Sequence, residues 1–197
     1  MKLLFTKTSP YARKVRVVAR EVGQTLTEVE AWPFDNPEEL VKANPLAKVP
    51  GLVLDDGTSI IDSRVMCEML ASGTALEFSD WHARSRAAWA DGVLDLALQV
   101  VMESRRTDSE ISQFWMSRWR EQILRTVGQM NDRVEELQRF GLPEVGWAVA
   151  LSYLDFRLGD YRWQKAAPAL ATWHDEVRNR PSMRDTEPPD ATARIPG

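Results

Sequence analysis

Three short stretches hold residues whose types and spacing could do chemistry. The first runs from Thr8 to Arg16, T-S-P-Y-A-R-K-V-R, directly after an apolar run. Serine is a favoured helix N-cap and proline a favoured first helical residue, so Ser9-Pro10 reads as a strand ending and a helix starting. Ala12 stands three residues on, so no Glu or Gln completes a capping box. The Ser9 hydroxyl also lies where the positive end of a helix dipole favours an anion. A ligand thiolate there would gain from the dipole and from an O–H···S bond. The second stretch is N-P-L-A-K-V-P-G, Asn44 to Gly51. Val49, held extended by Pro50, can offer its backbone N–H and C=O to a peptide-like ligand, and Lys48 beside it can meet a carboxylate. The bland reading is a proline-bounded loop edge. The third is I-I-D-S-R-V, Ile60 to Val65. Asp62 and Ser63 either cap a helix, or the helix start receives an α-carboxylate while Asp62 holds an ammonium. Taken singly, a structural role accounts for each stretch.

The elements that must position them follow from periodicity. Lys2 to Thr6 reads as a buried strand, and Pro10 to Val22 as a helix ending at Gly23, with Val15, Val18, Ala19 and Val22 on one face. Thr25 to Trp32 alternates as a half-wet strand, and Glu38 to Ala43 makes a short helix. P-G-L-V-L, D-D-G and T-S-I-I read as a hairpin, followed by a helix from Asp62 to Leu70. The predicted order is β-α-β-α-β-β-α.

The texture changes near Ser72, after which no strand-like segment follows. His82 to Arg106 and Ser109 to Phe140 are predicted as long helices, the second with Phe114, Trp115, Trp119, Ile123, Val127 and Met130 at helical steps. Arg118, Arg120, Arg125 and Arg133 fall between them and face water. Val145 to Phe156 is apolar almost all round and reads as a buried central helix, and Pro168 to Asn179 as a further one. The ending from Thr186, T-E-P-P-D-A-T-A-R-I-P-G, reads as an extended surface tail. The expected fold class is α/β plus all-α, with a small domain at residues 1–73 and an all-helical one at 82–197.

Composition narrows the chemistry. The 197 residues are 44% hydrophobic, and 25 basic against 29 acidic residues leave a net charge of -4. That balance argues against nucleic acid as a partner. No apolar run approaches the ~20 residues of a membrane span, and the apolar core near the start is too short for a secretory signal. A cytoplasmic, soluble protein is expected. The lone Cys67 excludes an internal disulfide, and His82 and His174 stand too far apart for metal-ligand spacing, so no metal is expected.

Together, S-P-Y-x-x-x-V-R, K-V-P and D-S in this order resemble the glutathione S-transferase family. The likeness runs on through A-L-S-Y-L-D-F-R (Ala150 to Arg157) and R-P-S-M-R-D-T (Arg180 to Thr186). It is most similar to bacterial serine-type members near the zeta, tau and phi classes. The resemblance implies a thioredoxin-like first half, an all-helical second half, a homodimer and glutathione as substrate or cofactor. It implies that Ser9 is catalytic, donating to the glutathione sulfur, and that Val49 pairs with the cysteinyl backbone before a cis Pro50. Asp62 and Ser63 would bind the γ-glutamyl end and Lys48 the glycyl carboxylate. A free thiol with pKa ~8.5 is only a few per cent thiolate at neutral pH; lowering it by ~2 units takes ~2.7 kcal/mol, within reach of a charge-assisted bond plus a dipole.

Thioredoxin-like relatives place a cysteine where this chain has Ser9, so little thiol–disulfide exchange is expected. The second substrate, a small electrophile, is expected against the first long helix at Leu98, Met102, Arg105 and Arg106, with Tyr11 and Trp115. Core packing is the competing role for the aromatics and methionine. Gly141 and Glu144 fall where the family carries a Ser/Thr-x-x-Asp cap, and glycine supplies no side-chain acceptor. A non-catalytic interaction module of the same fold is the alternative function. Glutathione-dependent isomerisation or dehydrochlorination shares the site.

Overall fold

The computed structural model describes residues 1–189, which form two units. The first comprises Met1–Ser79 with Pro181–Pro189, the second Asp80–Arg180.

In the first unit β1 (Lys2–Phe5) is the central strand. It pairs in parallel with β2 (Thr27–Glu30) and antiparallel with β3 (Gly51–Val53), and β3 pairs antiparallel with β4 (Ser59–Ile60). The sheet order is β2-β1-β3-β4. Leu3, Leu4 and Leu52 are fully buried, which is why β1 reads as a continuous apolar run: both faces are covered. Helix α1 (Pro10–Glu21) packs against α3 (Ser63–Ala71), while α2 (Glu38–Ala43) sets Leu40 and Ala43 on Leu4 and Ala31. α1 stops where Gly23 takes φ 70°, a left-handed conformation that suits glycine. The hairpin turn likewise places Gly57 at φ 86°. This thioredoxin-like arrangement has the element order predicted from the sequence.

The second unit is helical: α4 (Trp81–Glu103), α5 (Gln113–Asn131), α6 (Leu142–Arg157), α7 (Trp163–Ala166) and α8 (Pro168–Val177). α4 packs on both α5 and α6, and every residue from 142 to 151 is buried. Two expectations are corrected here. The stretch 109–140 is not one helix. The Ser112 hydroxyl accepts from Trp115 N–H and starts α5, and the chain leaves α5 after Asn131, whose Oδ1 accepts the N–H groups of Ala169 and Leu170. Nor does the apolar period at the start of α5 mark core, since Phe114 and Trp115 are 67% and 47% exposed. The four arginines do face solvent.

Ser152 on α6 lies 3.0 Å from the buried His174 of α8, and Asp155 accepts from Trp163 Nε1 at 2.7 Å and Gln164 Nε2 at 2.6 Å. These bonds fasten α7 and α8 to α6. Burial raises the Asp155 carboxyl above its ordinary range, against the pull of those two donors.

The chain returns to the first unit at Pro181 instead of running on in the helical one. Helix α9 (Pro181–Arg184) packs on α1, with Met183 and Thr186 fully buried. The Arg13 guanidinium donates to Met183 C=O at 3.0 Å and to Thr186 Oγ1 at 3.4 Å, and the Ser182 hydroxyl donates to the Glu21 carboxylate. Thr186 is therefore a core residue and not the start of a surface tail. The remainder of that expected tail, from Asp190 on, lies outside the described residues.

Gly141 is the N-cap of α6 and supplies no side-chain acceptor, but half of a capping box survives. Its N–H donates to Glu144 Oε2 at 2.9 Å. Burial pushes the Glu144 carboxyl up, outweighing that bond and the charge of Arg86. The folded state thus holds this proton more tightly than the unfolded chain does. Stability falls as pH rises from the unfolded glutamate value to the raised folded one. Glu144→Gln keeps an acceptor and removes the buried charge. Urea unfolding between about pH 4 and pH 7 is expected to show this variant gaining on the parent as pH rises. Among the described residues no helix is long and apolar enough to cross a membrane.

Candidate functional site

Strand directions decide which of the expected residues come together. Leu4 of β1 faces Gly51 of β3, and Leu52 faces Ile60 of β4. Because β3 runs against both neighbours, the exit of β1, the entry of β3 and the exit of β4 share one end of the sheet. Ser9 follows β1, Val49 and Pro50 precede β3, and Asp62 and Ser63 follow β4. Three stretches far apart in sequence therefore meet at one edge of the first unit.

Ser9 is the half-buried N-cap of α1, with φ -77° and ψ 118°, and its Oγ accepts from Ala12 N–H at 3.2 Å. Capping uses a lone pair and leaves the hydroxyl proton to donate. The Val49–Pro50 peptide is cis, Pro50 is buried and Val49 half-buried. Lys48 is exposed beside them. Asp62 is the exposed N-cap of α3, its Oδ1 accepting from Arg64 N–H at 2.9 Å, and Ser63 is 4% exposed.

Asn44 escaped the sequence reading. Only 4% exposed, it donates from Nδ2 to Lys48 C=O at 2.7 Å and accepts from Leu46 N–H at 3.1 Å. It fixes the loop that presents Lys48 and Val49. The signal was present: Asn-Pro opens turns because the side chain bonds the backbone two residues on.

Of the residues expected around an electrophile, Tyr11 is half-buried in the first unit and the others belong to the second. Leu98 is half-buried on α4, and Met102, in the last turn of that helix, is 41% exposed. Glu103 Oε1 accepts from Ser112 N–H at 2.8 Å, which ties the start of α5 and its Trp115 to the end of α4. Trp115 stacks on Trp119, ring centroids 5.7 Å apart. Arg105 and Arg106 follow α4 and are exposed, and Arg106 lies 4.0 Å from Glu110. The charges of Arg105 and Arg157 both bear on Tyr153 of α6. Burial pushes the Tyr153 phenol up, and the charges of Arg157 and Arg105 pull it back. Desolvation lowers Arg157, Tyr153 raises it, and the like charge of Arg105 lowers it further.

Residues 3–77 match the family model described as the glutathione S-transferase N-terminal domain. A glutathione S-transferase from Methylobacillus flagellatus KT, solved with glutathione bound, is 34% identical; the match covers 95% of this chain and 99% of that one with a TM-score of 0.88. A glutathione transferase family member from Pseudomonas fluorescens Pf-5 with bound glutathione is also 34% identical, covering 95% and 98% with a TM-score of 0.87. The GST-like protein YibF of Escherichia coli K12 is 29% identical over 97% of this chain and its own full length. A thioredoxin-like sheet unit followed by a helical unit is the architecture of such transferases. The chain belongs to the glutathione S-transferase family.

Proposed function

We propose that this protein is a glutathione transferase in which Ser9 stabilises the glutathione thiolate for attack on a small electrophile. The observation that carries the reading is the meeting of Ser9, Val49-Pro50 and Asp62-Ser63 at one end of the sheet. The Ser9 hydroxyl, with its lone pair on Ala12 N–H, donates its proton to the sulfur, and the α1 dipole adds to that stabilisation. Val49 pairs with the cysteinyl backbone of glutathione, Lys48 meets the glycyl carboxylate, and Asp62 with Ser63 holds the γ-glutamyl end. Met102, Arg105, Arg106 and Trp115 are the groups the helical unit offers an electrophile.

The relatives support the choice of thiol. The Methylobacillus and Pseudomonas proteins carry glutathione, and the Pseudomonas protein was also solved with S-(propanoic acid)-glutathione, an adduct with a carboxylic acid on the sulfur side. A cytoplasmic homodimer belongs to the same reading, from the family habit.

The test is spectroscopic. Glutathione bound to the protein is expected to show thiolate absorbance near neutral pH, and Ser9→Ala to remove most of it. Binding without a change in ionisation would take Ser9 out of the chemistry. Absence of binding at millimolar glutathione would favour a non-catalytic interaction module.

A further inference from the structure

We propose that Asn44 is a positioning residue that sets the affinity for glutathione while leaving the ionisation of its thiol alone. The proposal rests on the glutathione reading above and assigns binding and thiol activation to separate parts of the site.

Asn44 closes α2 where that helix meets the entry of β3. A Cβ on Gly51 would stand 3.4 Å from Ala43 Cβ and 3.8 Å from Asn44 Cβ, so the glycine lets the two elements lie together. The loop from Pro45 to Pro50 joins them. It holds Ala47 at φ 51°, a left-handed conformation that is unfavourable for a residue with a Cβ. Such a conformation persists only where the surroundings fix it. Here the buried Asn44 amide donates from Nδ2 to Lys48 C=O at 2.7 Å, and its Oδ1 accepts from Leu46 N–H at 3.1 Å. One side chain grips both neighbours of the strained residue.

The bland role for Asn44 is to end α2. The backbone does that without the side chain: Asn44 N–H donates to Leu40 C=O at 2.7 Å, and Ala47 N–H to Asn44 C=O at 2.8 Å. What the amide adds falls on the residues that lead into Val49. Among the described residues neither backbone group of Val49 has a hydrogen-bond partner, so the loop alone places its N–H and C=O. Lys48 stands exposed in the same loop.

Val49 and Lys48 are the groups that hold the cysteinyl backbone and the glycyl carboxylate in the reading above. Loss of the amide lowers the fraction of molecules whose loop is competent to bind, and the apparent affinity falls by the same factor. Ser9 belongs to α1 and takes its bond from Ala12 N–H of that helix, so the thiolate donor is untouched. A variant that weakens binding alone raises KM and spares kcat.

The experiment measures binding of S-methylglutathione, which has no thiol to ionise, well below each variant's melting temperature. Asn44→Ala is expected to bind about tenfold more weakly. KM for glutathione should rise by a similar factor, with kcat and the titration of bound thiolate absorbance as in the parent. Asn44→Asp is the conservative check. Its protonated carboxyl offers an O–H to Lys48 C=O and an oxygen to Leu46 N–H, whereas the carboxylate only accepts. Its affinity should therefore recover toward the parent's as pH falls from about 8 to about 5, and that of Asn44→Ala should not. A merely structural role would lower the melting temperatures and leave the affinity of the folded variants unchanged. Parental affinity in folded Asn44→Ala, or a loss carried by kcat with KM unchanged, would overturn the proposal. If alanine unfolds the chain, the aspartate series decides, and an affinity constant across that range would overturn it. Binding that depends on Asn44 without turnover of any electrophile would leave the positioning role standing and the transferase reading in error. A parent that does not bind S-methylglutathione would overturn both.

Discussion

Ser9→Gly is expected to lower kcat/KM about tenfold or more at pH 6 while leaving the fold within a few tenths of a kcal/mol of the parent. Lowering a thiol pKa from ~8.5 by ~2 units raises the thiolate fraction at pH 6 by roughly 80-fold. A less basic thiolate is a poorer nucleophile, which gives back up to about tenfold of that gain. The difference should narrow toward pH 9, where both proteins hold mostly thiolate. Either change removes the bond from Ala12 N–H, but glycine is the informative replacement because it costs an N-cap only a few tenths of a kcal/mol, whereas Ser9→Ala costs about 1 kcal/mol. Rates from pH 6 to pH 9, beside urea unfolding of both variants, separate loss of the proton donor from loss of stability. A glycine variant with parental low-pH activity would end the case for Ser9 as thiolate donor.

The largest loss of stability is expected at Trp147. This indole is fully buried on α6, and its Nε1 donates to Arg86 C=O on α4 at 3.1 Å. Beside it α6 approaches α4 closely: a Cβ on Gly146 would stand 3.2 Å from Ala90 Cβ. Helices held that near cannot collapse into a void, so Trp147→Ala should cost about 3–5 kcal/mol. For a chain of this size that lowers the melting temperature by roughly 10 °C. Trp147→Phe retains much of the ring volume, loses the N–H, and should cost far less. Thermal melts of the two variants check the ordering, and an alanine loss below about 1 kcal/mol would show that the α4–α6 seam can repack.

Local chemistry made the sheet unit readable. Ser9 and Asp62 cap the helices they precede, Gly23 ends α1, and the D-D-G turn closes the hairpin. Each signal lies within a few residues of what it controls. The family resemblance rested on those same stretches, which is why the candidate glutathione residues fall at one end of the sheet. The helical unit was harder to read for a physical reason. Periodicity records which residues are apolar and not what covers them, so Phe114 and Trp115 looked like core yet stand in solvent. The break after Asn131 was also hidden, because its side chain is claimed by the start of α8, a partner distant in sequence.

The bonds from Arg13 to Met183 and Thr186 bear on how the chain is made. Domains generally take shape as they leave the ribosome, N-terminal part first. Here the helix that carries Ser9 waits for acceptors that are translated after the whole helical unit. A nascent chain can complete its sheet early, yet α1 receives its last contacts only when α9 has emerged. The site helix is thus among the first elements synthesised and among the last to be finished, and a fragment stopped at Ser79 would expose the face of α1 that α9 covers.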